Sequence, residues 1–119
     1  MGTSTKFRRA LVVEDEMMVA MYIEDLLSDL GFEVACIATG LEQALPLARD
    51  AQFDFAVLDI NLAGQLSFPV ADELLRRGIP FLFASGYGSN VSRDRHPDAV
   101  RIQKPFRQRE LANAIARIG

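Results

Sequence analysis

The stretch Phe53-Asp54-Phe55-Ala56-Val57-Leu58-Asp59 most narrows the folds open to this chain. Its apolar residues run almost without the polar alternation of a half-exposed strand, so it reads as a strand buried on both faces. Strands of that kind belong to parallel sheets with helices packed on each side. The run ends abruptly in Asp59, and Ile60-Asn61-Leu62-Ala63-Gly64 reads as a loop. Asp59 therefore stands at the carboxyl end of a central strand, where open α/β sheets place their ligands.

The remaining segments supply such a sheet. Residues 7–13 form a short strand pattern that closes in Glu14-Asp15-Glu16. Val19, Ile23, Leu26, Leu27 and Leu30 then recur at helical spacing up to Gly31, a residue suited to a left-handed helix stop. Residues 33–38 read as a second strand, with Cys36 a buried core cysteine. Thr39-Gly40-Leu41-Glu42 has the hydroxyl and glutamate of a capping box, so a helix is expected there, bent by Pro46. A third helix spans Phe68 to Arg77, with Pro69 in its first turn and Gly78 at its end. Residues 79–84 form a fourth strand that opens on Pro80. Residues 91–98 have little periodicity and room for at most a short helix, residues 99–103 form a last strand, and Leu111, Ile115 and Ile118 mark a final helix.

Five strands alternating with helices give an α/β fold, a doubly wound five-stranded parallel sheet with right-handed crossovers and helices on both faces. In the flavodoxin-like order 2-1-3-4-5, the topological switch lies between the first and third strands. Those are the strands that end in Asp15 and Asp59, so Glu14, Asp15 and Asp59 meet at one crevice.

Composition limits the partners. A net charge of −3 and sparse basic residues argue against nucleic acid, because neutralising phosphates requires a basic face. No apolar stretch approaches the ~20 residues of a membrane span, and Met1 to Lys6 lacks the apolar core of a signal peptide. A cytoplasmic location is expected, without a membrane partner.

Two carboxylates ~5 Å apart repel by roughly 3 kcal/mol at an effective dielectric of about 20. Three together call for a cation or a proton. Oxygen ligands without His or Cys point to Mg²⁺ over Zn²⁺. Asp15 and Asp59 are the expected direct ligands, with the backbone carbonyl of Asn61 as a further oxygen and Glu14 acting through water. Ser85 follows the fourth strand and Lys104 the fifth, so a hydroxyl and an ammonium reach the same crevice. The set suits phosphoryl acceptance by a carboxylate: Asp59 attacks, Lys104 neutralises transferred oxygens, and Ser85 hydrogen-bonds the product. Asp54 lacks such company and reads as a surface residue at a strand entry, and His96, before Pro97, as a surface histidine.

Glu14-Asp15, Asp59, Ser85 and Lys104-Pro105 together resemble the acidic pair, phosphoacceptor, switch hydroxyl and lysine of a two-component response-regulator receiver domain. The resemblance covers essentially the whole chain, with residues 7–119 as the receiver and 1–6 as a disordered N-terminal segment. Phe81-Leu82-Phe83-Ala84-Ser85-Gly86-Tyr87-Gly88 is further similar to a Phe-Ala-Thr-Gly-x-Tyr receiver subgroup, with Ser for Thr. The chain departs from the common pattern at Leu62-Ala63-Gly64, where receivers often carry Met-Pro and Asp-Gly. It departs again at Arg101, where the switch aromatic usually stands; Tyr87 or the 89–97 segment is then the expected reporter.

The resemblance implies a non-enzymatic phosphoacceptor whose donor is a phosphohistidine on a sensor histidine kinase or a histidine phosphotransfer protein. Phosphorylation would alter the surface of the family's fourth helix, fifth strand and fifth helix, toward an unidentified downstream protein. No output domain follows Gly119, which fits a stand-alone receiver or a receiver cut from a longer chain. A dehalogenase-like phosphatase would need an acid where Asn61 stands. A flavodoxin-like cofactor binder would want donors in place of Glu14-Asp15. The remaining alternative is a receiver-like interaction module that acts without phosphorylation.

Overall fold

The structure, a computed structural model, describes residues 8–86 and 96–119. Five parallel strands form the main sheet: β1 (Arg9–Val13), β2 (Glu33–Ala38), β3 (Phe55–Asp59), β6 (Phe81–Ser85) and β7 (Val100–Gln103). Their order is β2-β1-β3-β6-β7. This is the expected 2-1-3-4-5 order once a small hairpin, β4 (Asn61–Leu62) with β5 (Gln65–Leu66), is counted. Four helices lie among the described residues: α1 (Met17–Asp29), α2 (Leu41–Asp50), α3 (Phe68–Arg77) and α4 (Gln108–Ile118).

Alternate residues of each central strand feed two separate apolar layers. Leu11, Val13, Ala56, Leu58, Phe81 and Phe83 pack on one face against Ala44 and Ala48 of α2 and Val70, Ala71 and Leu74 of α3. Ala10, Val12, Phe55, Val57, Leu82 and Ala84 pack on the other against Ala20, Ile23 and Leu27 of α1 and Leu111, Ala114 and Ile115 of α4. Every residue of β3 is buried, which accounts for its unbroken apolar sequence.

Helix ends follow local chemistry. Gly31 has φ +95°, Gly31 N–H donates to Ser28 O and Phe32 N–H to Leu27 O, the paired bonds of a Schellman stop. Phe32 then stacks edge-on against Phe55 of the sheet, 5.2 Å between centroids. Gly78, at φ +72°, ends α3 the same way through Gly78 N–H to Leu75 O and Ile79 N–H to Leu74 O.

Several expectations are corrected. The segment after Asp59 is a hairpin, turned at Ala63 (φ +53°) and Gly64 (φ +92°), where a loop was expected. The cap of α2 lies one residue later than the Thr39–Glu42 frame: Gly40 is the N-cap, and the Gln43 side chain accepts from Thr39 N–H at 2.8 Å. α2 continues through Pro46. Cys36 is half-buried because β2, among the described residues, is an edge strand with a single neighbour, and a bulge at Ala35 shifts its register. Asp54 is tied into the fold: its Oδ2 accepts from the backbone N–H groups of Arg8 and Arg9 at 2.9 Å each. His96 is buried, its ring 5.5, 6.0 and 5.7 Å from those of Phe68, Phe81 and Phe83. Its Nε2 lies 3.4 Å from Asp72 Oδ1. The expectations for residues 1–7, Tyr87 and residues 88–95 lie outside the described residues.

Candidate functional site

Parallel register brings the strand ends level. Val13 pairs with Leu58, Asp59 with Ala84, and Ser85 with Gln103. The residues that follow continue the ladder: Glu14 N–H donates to Ala38 O at 2.9 Å, and Lys104 N–H to Ser85 O at 2.8 Å. Glu14, Asp59, Ser85 and Lys104 therefore arrive together at the carboxyl end of the sheet, as the strand order requires.

The side chains of three of them meet. Lys104 Nζ donates to Glu14 Oε1 at 2.8 Å and to Asp59 Oδ2 at 3.1 Å. Glu14 is fully buried and Asp59 nearly so, while Asp15 is half-buried; carboxylate oxygens of all three lie within 4.8 Å of one another. Burial pushes the Glu14 carboxyl up to about 7, with the Asp59 charge adding to the effect and the bond from Lys104 opposing it. Burial also raises Asp59 above its ordinary value, against the attraction of Lys104. For Lys104 itself burial favours the neutral amine, yet the two carboxylates outweigh it and hold the ammonium above its ordinary range.

Among the described residues, one cation thus faces three acidic groups, two of them withdrawn from water. The donor set is all oxygen and keeps excess negative charge, which suits a hard divalent cation such as Mg²⁺. Ser85 is buried at the end of β6. Asn61 begins β4, and its side-chain Oδ1 accepts from Gly64 N–H at 2.7 Å, so the side chain is committed to the hairpin. Residues 10–116 match the sequence model of the response regulator receiver domain. The chain belongs to that family.

Its relatives fit the receiver assignment. It is similar to the solution structure of SdrG from Sphingomonas melonis Fr1, with 36% identity and a TM-score of 0.86 over 96% of this chain and 98% of that one. It is 30% identical to the chemotaxis protein CheY of Pseudomonas aeruginosa, over 92% of this chain and 94% of that protein. The phyllosphere-induced regulator PhyR of Methylorubrum extorquens is 29% identical over 89% of this chain, which spans only 41% of PhyR. The protein is a receiver of two-component signalling.

Arg101 stands on β7 at the position where the resemblance led to an aromatic residue being expected, and its guanidinium donates to the His96 carbonyl at 3.1 Å. Sequence reasoning missed that contact. It also missed Tyr22, whose hydroxyl donates to Phe106 O at 2.8 Å. An aromatic hydroxyl next to the apolar face of an amphipathic helix was the available signal, but only the fold names its acceptor.

Proposed function

We propose that this receiver accepts a phosphoryl group on Asp59 from a phosphohistidine of a sensor histidine kinase or histidine phosphotransfer protein. The new charge then alters a surface recognised by a downstream protein. The observation that carries this reading is the single ammonium of Lys104 set between Glu14 and Asp59, 2.8 and 3.1 Å away. A half-buried lysine bridging two carboxylates is ready to follow charge when one of them becomes an acyl phosphate.

In the transfer, an Asp59 oxygen attacks phosphorus as the bond to the donor imidazole breaks and the histidine departs with that electron pair. Lys104 moves its hydrogen bond to a phosphoryl oxygen, and Ser85 hydrogen-bonds another. Asp15, Asp59 and the backbone carbonyl of Asn61 would hold Mg²⁺, with Glu14 reaching it through water. Bound Mg²⁺ supplies positive charge that offsets the crowded oxygens of carboxylate and phosphate. The protein is a phosphoacceptor that takes part in its own phosphorylation.

Exposed Met17, Met18, Met21 and Tyr22 along α1 offer apolar surface for a protein partner. Among the described residues no helix is long and apolar enough to cross a membrane.

The test is the intact mass after incubation with acetyl phosphate, with and without Mg²⁺, for wild type and Asp59→Asn. One added phosphoryl group that requires both Mg²⁺ and Asp59 is expected. Equal labelling of Asp59→Asn would refute the assignment. No adduct together with no Mg²⁺ binding would favour an interaction module that works without phosphorylation.

A further inference from the structure

Lys104 leaves the end of β7, which among the described residues is an edge strand paired only with β6 and nowhere fully buried. A side chain that must bridge two carboxylates thus starts from backbone with little packing of its own. The turn Lys104-Pro105-Phe106 is held at three places. Lys104 N–H donates to Ser85 O at 2.8 Å, which fixes its start. The Phe106 ring is buried in the layer between the sheet, α1 and α4. The third hold is Tyr22 on α1, whose hydroxyl donates to the Phe106 carbonyl at 2.8 Å while its ring lies 6.3 Å from the Phe106 ring.

The third hold matters because of what surrounds it. Pro105 has no N–H to anchor the middle of the turn. A cavity of about 350 Å³ opens beside the turn, lined by Val19, Tyr22, Gly86, Lys104, Pro105 and Phe106. Beyond the Phe106 ring this flank is loosely packed, and among the described residues the Tyr22 hydroxyl is a polar contact that crosses from α1 to the turn. Catalytic geometry is sensitive to shifts of about 1 Å, and the Lys104 bonds leave little slack.

We propose that Tyr22 is a positioning residue for Lys104: its bond to the Phe106 carbonyl fixes the turn from which the ammonium reaches Glu14 and Asp59. Its consequence for phosphorylation rests on the function proposed above; the positioning itself does not. Tyr22 is 45% exposed, so water competes for its hydroxyl and the effect is moderate.

The experiment compares wild type, Tyr22→Phe, Lys104→Ala and the double variant. Tyr22→Phe keeps the ring and removes one hydroxyl, so the fold survives. The first readout is the Lys104 side-chain ¹³Cε resonance in metal-free protein; the second is the rate of labelling by acetyl phosphate at saturating Mg²⁺. Tyr22→Phe is expected to move the Lys104 resonance and slow labelling about threefold to tenfold, the worth of one net hydrogen bond. In the Lys104→Ala background it is expected to change the residual rate no further, because the hydroxyl acts through the lysine. An unmoved resonance, or equal slowing in both backgrounds, would overturn the proposal. If wild type neither takes a phosphoryl group nor binds Mg²⁺, a Lys104 resonance that still moves in Tyr22→Phe would uphold the positioning while the phosphoacceptor reading fails.

Discussion

Replacing Glu14 by glutamine tests the electrostatics of the site without touching Asp59. In the folded chain Glu14 keeps its proton to about pH 7, against an ordinary value of 4.5, because burial penalises the carboxylate. At about 1.4 kcal/mol per pH unit, holding Glu14 ionised costs the fold on the order of 3 kcal/mol. Between pH 4.5 and 7 the folded state binds more protons than the unfolded one, so metal-free stability falls as pH rises through that window. Asp59, also raised by burial, acts in the same direction from its ordinary 3.8. Lys104, held above 10.5, contributes stability that is lost only at alkaline pH, outside the window.

Wild type in a chelating buffer should therefore lose about 3 kcal/mol from pH 4.5 to 7 through Glu14. Glu14→Gln, which has no proton to release, should lose only the Asp59 share. Urea unfolding at half-unit pH steps measures both curves. At pH 8, Mg²⁺ should restore more stability to wild type than to Glu14→Gln, by mass action on the folded state. Parallel pH curves for the two proteins would refute the claim that Glu14 is the strained carboxylate.

Three further perturbations address other parts of the structure. Lys104→Ala should still bind Mg²⁺ but label from acetyl phosphate about a hundredfold more slowly; an unchanged rate would remove Lys104 from the transfer. His96→Ala empties the space among Phe68, Phe81 and Phe83 and should cost about 3 kcal/mol in urea unfolding. A loss below about 1 kcal/mol would contradict its buried packing. Asp54→Ala strips an acceptor from two backbone donors and should cost about 1 kcal/mol while speeding hydrogen exchange at Arg8 and Arg9; unaltered exchange would show that the bonds do not persist.

The features legible in the sequence are those whose physical cause is local. Burial of β3 on two faces leaves an unbroken apolar run ending at Asp59. The left-handed stops at Gly31 and Gly78 needed residues without a Cβ, and α3 begins at Phe68 and ends at Arg77 as read. The strand order then placed Glu14, Asp15, Asp59 and Lys104 together. What stayed hidden depends on distant partners or on unusual local choices. The hairpin turns on Ala63 at positive φ, with no Asn-Gly or Asp-Gly to announce it. Asp54 is committed by backbone donors 45 and 46 residues away. His96 looks like a surface residue until α3 and β6 supply three rings around it, and Gln43 takes the capping role that the Thr39 spacing offered to Glu42.

The bridge from Lys104 closes contacts across 45 residues to Asp59 and 90 to Glu14. Nothing within one supersecondary unit can make it, and the pairings of β1 with β2 and of β3 with β6 beneath it each join strands separated by a helix. Pairings of such high contact order form slowly and late, after their loop-closure entropy has been overcome. A nascent or partly unfolded chain therefore carries the acidic residues without the basin that gathers them. It cannot hold the cation or present a competent Asp59 to a donor. On the proposed function, completion of the sheet is thus a kinetic checkpoint: a phosphoryl signal would be accepted only by molecules that have finished folding.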